Sequence, residues 1–104
     1  LAALEALATS HPGLLDGLDA GTVAAALRDV RLPGRFQVVP GEPEWILDVA
    51  HNEPAAAVLA ANLRARPSRG RTLAVVGILA DKDVAAIGRL LAPCIDEWIL
   101  CGLE

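Results

Sequence analysis

The sequence predicts an α/β fold with a mostly parallel sheet, preceded by short helices. From Trp45 onward, strand-like runs alternate with helical runs rich in alanine and leucine, an order typical of parallel strands joined by right-handed crossovers. Apolar residues make up 54% of the 104 residues, whereas aromatic residues make up only 3%. That profile favours α/β or all-α packing over a sandwich built on aromatic pairs, and the length suits one modest domain.

The first part of the chain is predicted to be helical. Residues 1–8 have a helical composition, and a second helix is predicted over about residues 22–29, with Thr22 as a possible cap. Between them lies a cluster of helix breakers, in which His11 is expected to be a solvated loop residue. A second break follows at Pro33-Gly34, so we predict a domain boundary near Arg31 that separates residues 1–31 from residues 32–104.

Two strands and a helix are predicted next. Residues 36–39 and 45–49 are runs of β-forming residues, and the turn formers between them allow an antiparallel hairpin. The helix is predicted from Pro54 to about Arg66, with Pro54 in its first turn, where a missing N–H costs nothing.

A second crossover from strand to helix follows. A buried strand is predicted over residues 73–76, a helix over residues 84–92 and a last strand over residues 97–101. Both crossovers place polar residues at the carboxyl ends of strands, which is the edge at which open α/β sheets bind ligands.

Charge, hydropathy and cysteine usage exclude several classes of protein. The net charge of −4 argues against nucleic acid as the main partner. No apolar run reaches the roughly 18 residues that a membrane span needs, and the start lacks a basic signal-peptide region. Cys94 and Cys101 lack metal-type spacing and are interpreted as reduced core thiols of a cytoplasmic protein. The helical pattern already present at Leu1, and the end at Glu104 just after a strand, suggest a piece of a longer protein.

Asp48, His51 and Asn52 crowd the first crossover. A carboxylate at Asp48 could accept hydrogen bonds from a ribose or hold a cation through water, with a helix-initiating cap as an equal alternative. His51 could lie beside a ligand or be a loop histidine bonded to the backbone. Asn52 is most simply the N-cap of the next helix. The start of that helix also offers free N–H groups to a phosphate or carboxylate.

Asp81, Lys82 and Asp83 open the second crossover. Ordinary capping explains the acidic residues, with Asp81 as the cap and Asp83 in the first turn. Lys82 fits less well, because a cation at a helix start opposes the helix dipole unless an anion is bound there. Since parallel crossovers emerge at one edge of a sheet, the two polar clusters are expected to face one ligand.

The arginines fall into two groups. Arg35 follows the Pro33-Gly34 bend, where a guanidinium could clamp a phosphate or simply lie on the surface. The others surround the end of a predicted helix and are interpreted as a solvated face: Arg64, Arg66, Arg69 and Arg71. Neither GxGxxG nor GxxxxGK[ST] occurs, so the main phosphate cradle of any bound nucleotide must lie elsewhere.

Three motifs together resemble the bifunctional dihydrofolate synthase/folylpolyglutamate synthases, a family related to the Mur ligases. The motifs are Leu32-Pro33-Gly34-Arg35-Phe36-Gln37, Leu47-Asp48-Val49-Ala50-His51-Asn52 and Val76-Gly77-Ile78-Leu79-Ala80-Asp81-Lys82-Asp83. Each alone is weak, but their combined order and spacing are specific. The resemblance implies that residues 1–31 are the helical end of a central ATPase domain. It also implies that residues 32–104 are a truncated, Rossmann-like carboxyl-terminal domain.

The resemblance further implies an ATP-dependent amide ligase. In that family a dihydropteroate or folate carboxylate is phosphorylated by ATP, and the amine of L-glutamate then attacks the acyl phosphate, with Mg²⁺ neutralising the phosphates. The residues expected to bind ATP are Arg35, which reaches the phosphates, Asp48, which holds the ribose, His51 and Asn52. The residues expected to bind glutamate are His51, Asp81 and Lys82. No catalytic residue or metal ligand is assigned in this chain, which is expected to be inactive without the ATPase domain of the same protein.

One departure and several alternatives remain. The family usually has Pro directly after His-Asn, whereas Glu53 intervenes here, which could shift the helix start by one residue. The motifs do not distinguish dihydrofolate synthase from folylpolyglutamate synthase activity. A receiver-like module with Asp48 as phosphoacceptor would need an acidic pair where Pro40-Gly41 stands. A purely structural dimerisation domain would leave the motifs unexplained.

Overall fold

The computed structural model describes residues 2–13 and 15–103. The chain divides into two compact units, Leu1–Arg31 and Leu32–Glu104. Leu1, where the helical pattern was predicted to be under way already, and Glu104, at the predicted cut end, lie outside the described residues.

The first unit contains helices α1, Ala2–Ser10, and α2, Ala20–Asp29. The predicted cap of α2 at Thr22 is wrong, because the helix begins two residues earlier. Asp19 is the N-cap, and its Oδ1 accepts a hydrogen bond from the Thr22 N–H at 2.8 Å. Thr22 therefore lies in the first turn and donates to the cap. Helix α1 continues through Ser10, whose hydroxyl donates to the Ala6 carbonyl within the helix at 2.9 Å.

The second unit is an α/β structure, as predicted. Its elements are β1, Gln37–Val39; β2, Trp45–Leu47; α3, Glu53–Ala65; β3, Leu73–Val76; α4, Val84–Leu91; a 3₁₀ turn, Ala92–Cys94; and β4, Glu97–Leu100. Strands β1 and β2 form the predicted antiparallel hairpin, with Val38 opposite Ile46. Strands β3 and β4 are parallel, with Val75 opposite Ile99.

The expected parallel sheet is smaller than the alternation of elements suggested. Among the described residues, β1–β2 and β3–β4 form two separate two-stranded sheets, so β2 does not pair with the parallel strands. Strand β2 ends at Leu47, before the predicted end at Val49. The Val49 N–H donates instead to the Gly34 carbonyl at 2.8 Å. Hydrogen bonding of this segment is thus directed toward the turn that precedes β1.

Helices α3 and α4 pack together to form the core. Its buried members are Ala56, Ala60, Ile87 and Leu91, with Ile78 and Trp98 among the residues packed against them. Ala56 and Ala60 are four residues apart and share one face of α3, and their small side chains allow α4 to approach closely. Because α3 and α4 start directly after the two polar clusters, this packing also fixes where those clusters lie.

The cysteines differ in environment. Cys94 is half-buried against the core, and its thiol donates to the Ala60 carbonyl at 3.7 Å. Cys101 is exposed, so its interpretation as a core thiol is wrong, because β4 ends at Leu100 and leaves it beyond the packed strand. Both are free thiols. Within the described residues, every helix is too short or too polar to span a bilayer.

Candidate functional site

The Asp48 carboxylate is held by two backbone N–H groups. Its Oδ1 accepts from Ala50 two residues ahead, and its Oδ2 accepts from Phe36 across the hairpin, both at 2.8 Å. The residue is half-buried. Asp48 does not cap α3, so the capping alternative is wrong. Each carboxylate oxygen can accept a second hydrogen bond, so the side chain retains acceptor capacity for a ligand.

The turn before β1 has an unusual backbone. Gly34 has φ +68° and Phe36 has φ +45°, so two left-handed residues flank Arg35. Left-handed backbone is unfavourable for a residue with a side chain, and Phe36 was predicted to lie in the strand instead. A Cβ on Gly34 would lie 3.0 Å from Val49 Cγ1. Only glycine fits this position without movement of Val49.

Arg35 is exposed at the apex of this turn. Its backbone N–H donates to the Leu32 carbonyl at 3.1 Å. Across residues 2–13 and 15–103, its guanidinium has no hydrogen bond or ion pair to the protein. A guanidinium in this setting has all five N–H donors available to a phosphate.

Asn52 and His51 are fixed at the start of α3. Asn52 is the N-cap, as the simpler interpretation predicted, and its Oδ1 accepts from the Ala55 N–H at 3.0 Å. Glu53 becomes the first helical residue, and Pro54 still lies in the first turn. His51 Nδ1 lies 2.9 Å from the Val49 carbonyl oxygen. Because a carbonyl only accepts, Nδ1 carries the proton, and Nε2 is left for another partner.

The second crossover is capped by Asp83, not by Asp81 as predicted. Asp83 Oδ1 accepts from the Ala86 N–H at 2.8 Å, because α4 begins at Val84 and places Asp83 at the N-cap. Asp81 pairs instead with its neighbour, with 2.6 Å between its Oδ2 and Lys82 Nζ. Lys82 therefore has an anionic partner within the chain, and this partner offsets part of its unfavourable interaction with the dipole of α4.

A cleft of about 410 Å³ joins the two crossovers. It is lined by His51, Gly77, Ile78, Leu79, Lys82 and Leu103. The hydrogen bond from Lys82, a residue of this lining, lowers the pKa of the Asp81 carboxyl. Asp48, Asn52 and Arg35 do not line this cleft.

Two contacts near the site were not predicted from the sequence. Gln37 Oε1 accepts from the Gly34 N–H at 3.0 Å and braces the turn. Leu103 lies against Gly77, where an added Cβ would approach its Cδ2 to 3.0 Å. The Pro33-Gly34 pair indicated a turn, but nothing in the pattern indicated which side chains brace it.

The arginines near the end of α3 lie on the surface, as predicted. Arg66 pairs with Glu44 at 2.8 Å, and Arg71 pairs with Glu97 at 2.6 Å. The Arg66 hydrogen bond lowers the pKa of Glu44. No cluster of three or more His, Cys, Asp or Glu side chains that could hold a metal ion occurs among the described residues.

Comparison with known proteins gives one matching family. The family described as "Mur ligase, glutamate ligase domain" matches residues 34–104. The dihydrofolate synthase/folylpolyglutamate synthase of Escherichia coli (strain K12) is 43% identical over 106 residues, covering 100% of this chain and 23% of that protein. Its counterpart in Haemophilus influenzae is 39% identical over 95 residues, covering 74% of this chain and 22% of that protein. The chain therefore spans under a quarter of these relatives.

Solved structures give the same picture. E. coli FolC in complex with ADP, without folate substrate, superposes with a TM-score of 0.80 at 41% identity, covering 98% of this chain and 24% of that one. A bifunctional folylpolyglutamate synthase/dihydrofolate synthase with Mn, AMPPNP and L-glutamate bound superposes with a TM-score of 0.65 at 41% identity. That match covers 78% of this chain and 20% of the solved chain.

Proposed function

The chain belongs to the Mur ligase, glutamate ligase domain family, and we propose that it is part of an ATP-dependent amide ligase that adds L-glutamate to dihydropteroate, to folates or to both. The proposed reaction passes through an acyl phosphate, and the amine of L-glutamate displaces the phosphate. The single observation that carries the proposal is the cleft in which His51 and Lys82, from two different crossovers, face the same space.

The nucleotide side of the site is proposed to consist of Arg35, Asp48, His51 and Asn52. The guanidinium of Arg35, which has no partner among the described residues, suits a phosphate, and Asp48 retains acceptor capacity for ribose hydroxyls. Asn52 has its Oδ1 engaged as a cap, which leaves its NH₂ group as a donor. A relative solved with ADP at a TM-score of 0.80 supports nucleotide binding by this fold.

The glutamate side is proposed to consist of His51, Asp81 and Lys82. Lys82 is the cation of the cleft and suits a carboxylate of L-glutamate. Its pairing with Asp81 is an exposed contact between neighbouring residues, and such contacts exchange readily for a ligand. His51 Nε2 is available as a further hydrogen-bonding group. L-Glutamate bound in a solved relative supports the proposal that the complete protein binds L-glutamate.

Further components are proposed to come from the rest of the protein. Residues 1–31 are proposed to be the helical end of a central ATPase domain, and residues 32–104 part of the carboxyl-terminal domain. Mg²⁺ is the proposed metal, and it would neutralise the ATP phosphates. The described residues offer it no ligand cluster, so its ligands are assigned to the ATPase domain. Mn in a solved relative supports use of a divalent cation.

A cytoplasmic location is proposed from the two free thiols.

Steady-state phosphate release by the complete protein tests the nucleotide side. We expect Arg35→Ala to lower kcat/KM for ATP by about tenfold or more, because a phosphate contact of roughly 1.4 kcal/mol is lost. Arg69→Ala is the matched control, since Arg69 is an exposed arginine in the loop after α3. An active wild type with equal values for both variants would refute the role of Arg35. A wild type without glutamate-dependent turnover would refute the proposed function.

Lys82→Met tests the glutamate side in the same assay. We expect it to raise KM for L-glutamate about tenfold while KM for ATP changes less than about twofold. Arg89→Met is the matched control, because Arg89 is an exposed cation in the last turn of α4. An unchanged KM for L-glutamate in Lys82→Met would remove Lys82 from the site.

A further inference from the structure

Gln37 forms one of the contacts that hold the turn carrying Arg35. Its Oε1 accepts from the Gly34 N–H at 3.0 Å, directly before Arg35. The Phe36 N–H, directly after Arg35, donates to Asp48 Oδ2 at 2.8 Å. The Val49 N–H donates to the Gly34 carbonyl at 2.8 Å. Both neighbours of Arg35 are thus tied to the hairpin.

These contacts maintain a conformation that the turn would not keep alone. The left-handed backbone at Phe36 is sterically disfavoured for a residue with a Cβ. Such a conformation persists only where surrounding contacts impose it. Gly34 is also left-handed, and glycine adopts this conformation without steric cost. Gly34 therefore permits the turn, but other contacts are needed to hold the turn in this conformation.

We propose that Gln37 is a positioning residue for Arg35. The Gln37 side chain holds the turn in one conformation, so the backbone of Arg35 is already ordered when its guanidinium binds the ATP phosphates. This inference rests on the proposed function and deepens it. A guanidinium on a fixed backbone loses less conformational entropy on binding than one on a mobile loop. Gln37 is exposed, so its side chain does not support the core. Asp48 braces the same turn, but its proposed ribose contact makes it a less specific probe.

A double-mutant cycle on kcat/KM for ATP, in the complete protein, tests the proposal. Gln37→Met keeps the length of the side chain and removes the amide oxygen. We expect it to lower kcat/KM about fivefold in the wild-type background, mainly through KM for ATP, and less than about twofold in the Arg35→Ala background. Coupling of this kind is specific to positioning, because a general structural defect would lower both backgrounds equally.

Glu42→Met is the control, as a similar replacement of an exposed polar side chain in the β1–β2 loop, and it is expected to have no effect. Amide exchange at Gly34 gives a second readout that does not depend on turnover, and Gln37→Met is expected to accelerate it.

Equal losses in the two backgrounds, or an unchanged kcat/KM for ATP in Gln37→Met, would overturn the role of Gln37 and leave the ligase assignment intact. A wild-type protein without glutamate-dependent turnover would overturn the ligase assignment and the role of Gln37 together.

Discussion

The Asp48 carboxylate accepts a hydrogen bond from the Phe36 N–H at 2.8 Å and thereby joins the end of β2 to the turn that presents Arg35. Two residues assigned to the nucleotide side are therefore parts of one local structure. We expect Asp48→Ala to disturb both the ribose contact and the position of Arg35.

Removal of the Asp48 carboxylate should destabilise the chain. Asp48→Ala leaves the Phe36 and Ala50 N–H groups without their partner, which should lower the free energy of unfolding by about 2–3 kcal/mol. Asp48→Asn keeps one acceptor oxygen and should cost about half as much. Urea denaturation followed by the fluorescence of Trp45 and Trp98 measures both. Equal stability of Asp48→Ala and wild type would show that the two hydrogen bonds carry no net energy.

Gly34→Ala should also be destabilising. A Cβ at this left-handed position would meet Val49 Cγ1 at 3.0 Å, so we expect a loss of about 1–2 kcal/mol in the free energy of unfolding. Gly88→Ala is the matched control, because Gly88 lies inside α4 with open space around its Cβ position. That control should stabilise the chain by about 0.5–1 kcal/mol. The two changes having the same sign would contradict this view of the turn.

The contact between α3 and α4 should carry much of the stability. Ile87 is 2% exposed, so Ile87→Ala should lower the free energy of unfolding by about 2–4 kcal/mol through lost burial and a residual cavity. Val58→Ala, at a position on α3 that is 61% exposed, should change it by less than about 0.5 kcal/mol. Comparable losses in the two variants would mean that the core lies elsewhere.

The Asp81 carboxyl should titrate below its ordinary range. The hydrogen bond from Lys82 lowers its pKa in the folded chain, so the pairing contributes to stability above the unfolded pKa and is lost as pH falls through the folded pKa. In Lys82→Met the pKa should rise toward the ordinary value of 3.8. Arg89→Met should leave it unchanged. Carbon-detected NMR of the Asp81 carboxyl measures these values, and an identical midpoint in wild type and Lys82→Met would exclude the pairing in solution.

The sequence predicted the α/β class, the hairpin and the helix starts to within about two residues, because alternating composition and cap residues are local signals. It assigned the caps of α2 and α4 to the wrong residues, since Thr22 and Asp81 each lie within three residues of a competing aspartate. The other features that were not predicted depend on hydrogen bonds between residues far apart in the sequence. Two such features are the separation of β2 from the parallel strands and the hydrogen bonds between residues 34–36 and 48–49, and no local pattern reveals either.

The sequence predicted candidate site residues but not how they are arranged. The family motifs and the parallel crossovers led to His51 and Lys82, and the structure brings these two to one cleft. It leaves Arg35, Asp48 and Asn52 outside that cleft, with Asp48 and Asn52 already bonded to backbone. Composition cannot show that the Asp48 carboxylate accepts hydrogen bonds from two backbone N–H groups of the same chain. Only the hydrogen-bond geometry shows it.

The most direct test of the proposed ligase is mass spectrometry of the products formed by the complete protein with ATP, L-glutamate and either dihydropteroate or a reduced folate. We predict a product one glutamyl residue heavier than the acceptor, formed only when ATP and L-glutamate are both present. The acceptor that is used would distinguish dihydrofolate synthase from folylpolyglutamate synthase activity. ATP hydrolysis without a glutamylated product, with both acceptors, would contradict the assignment.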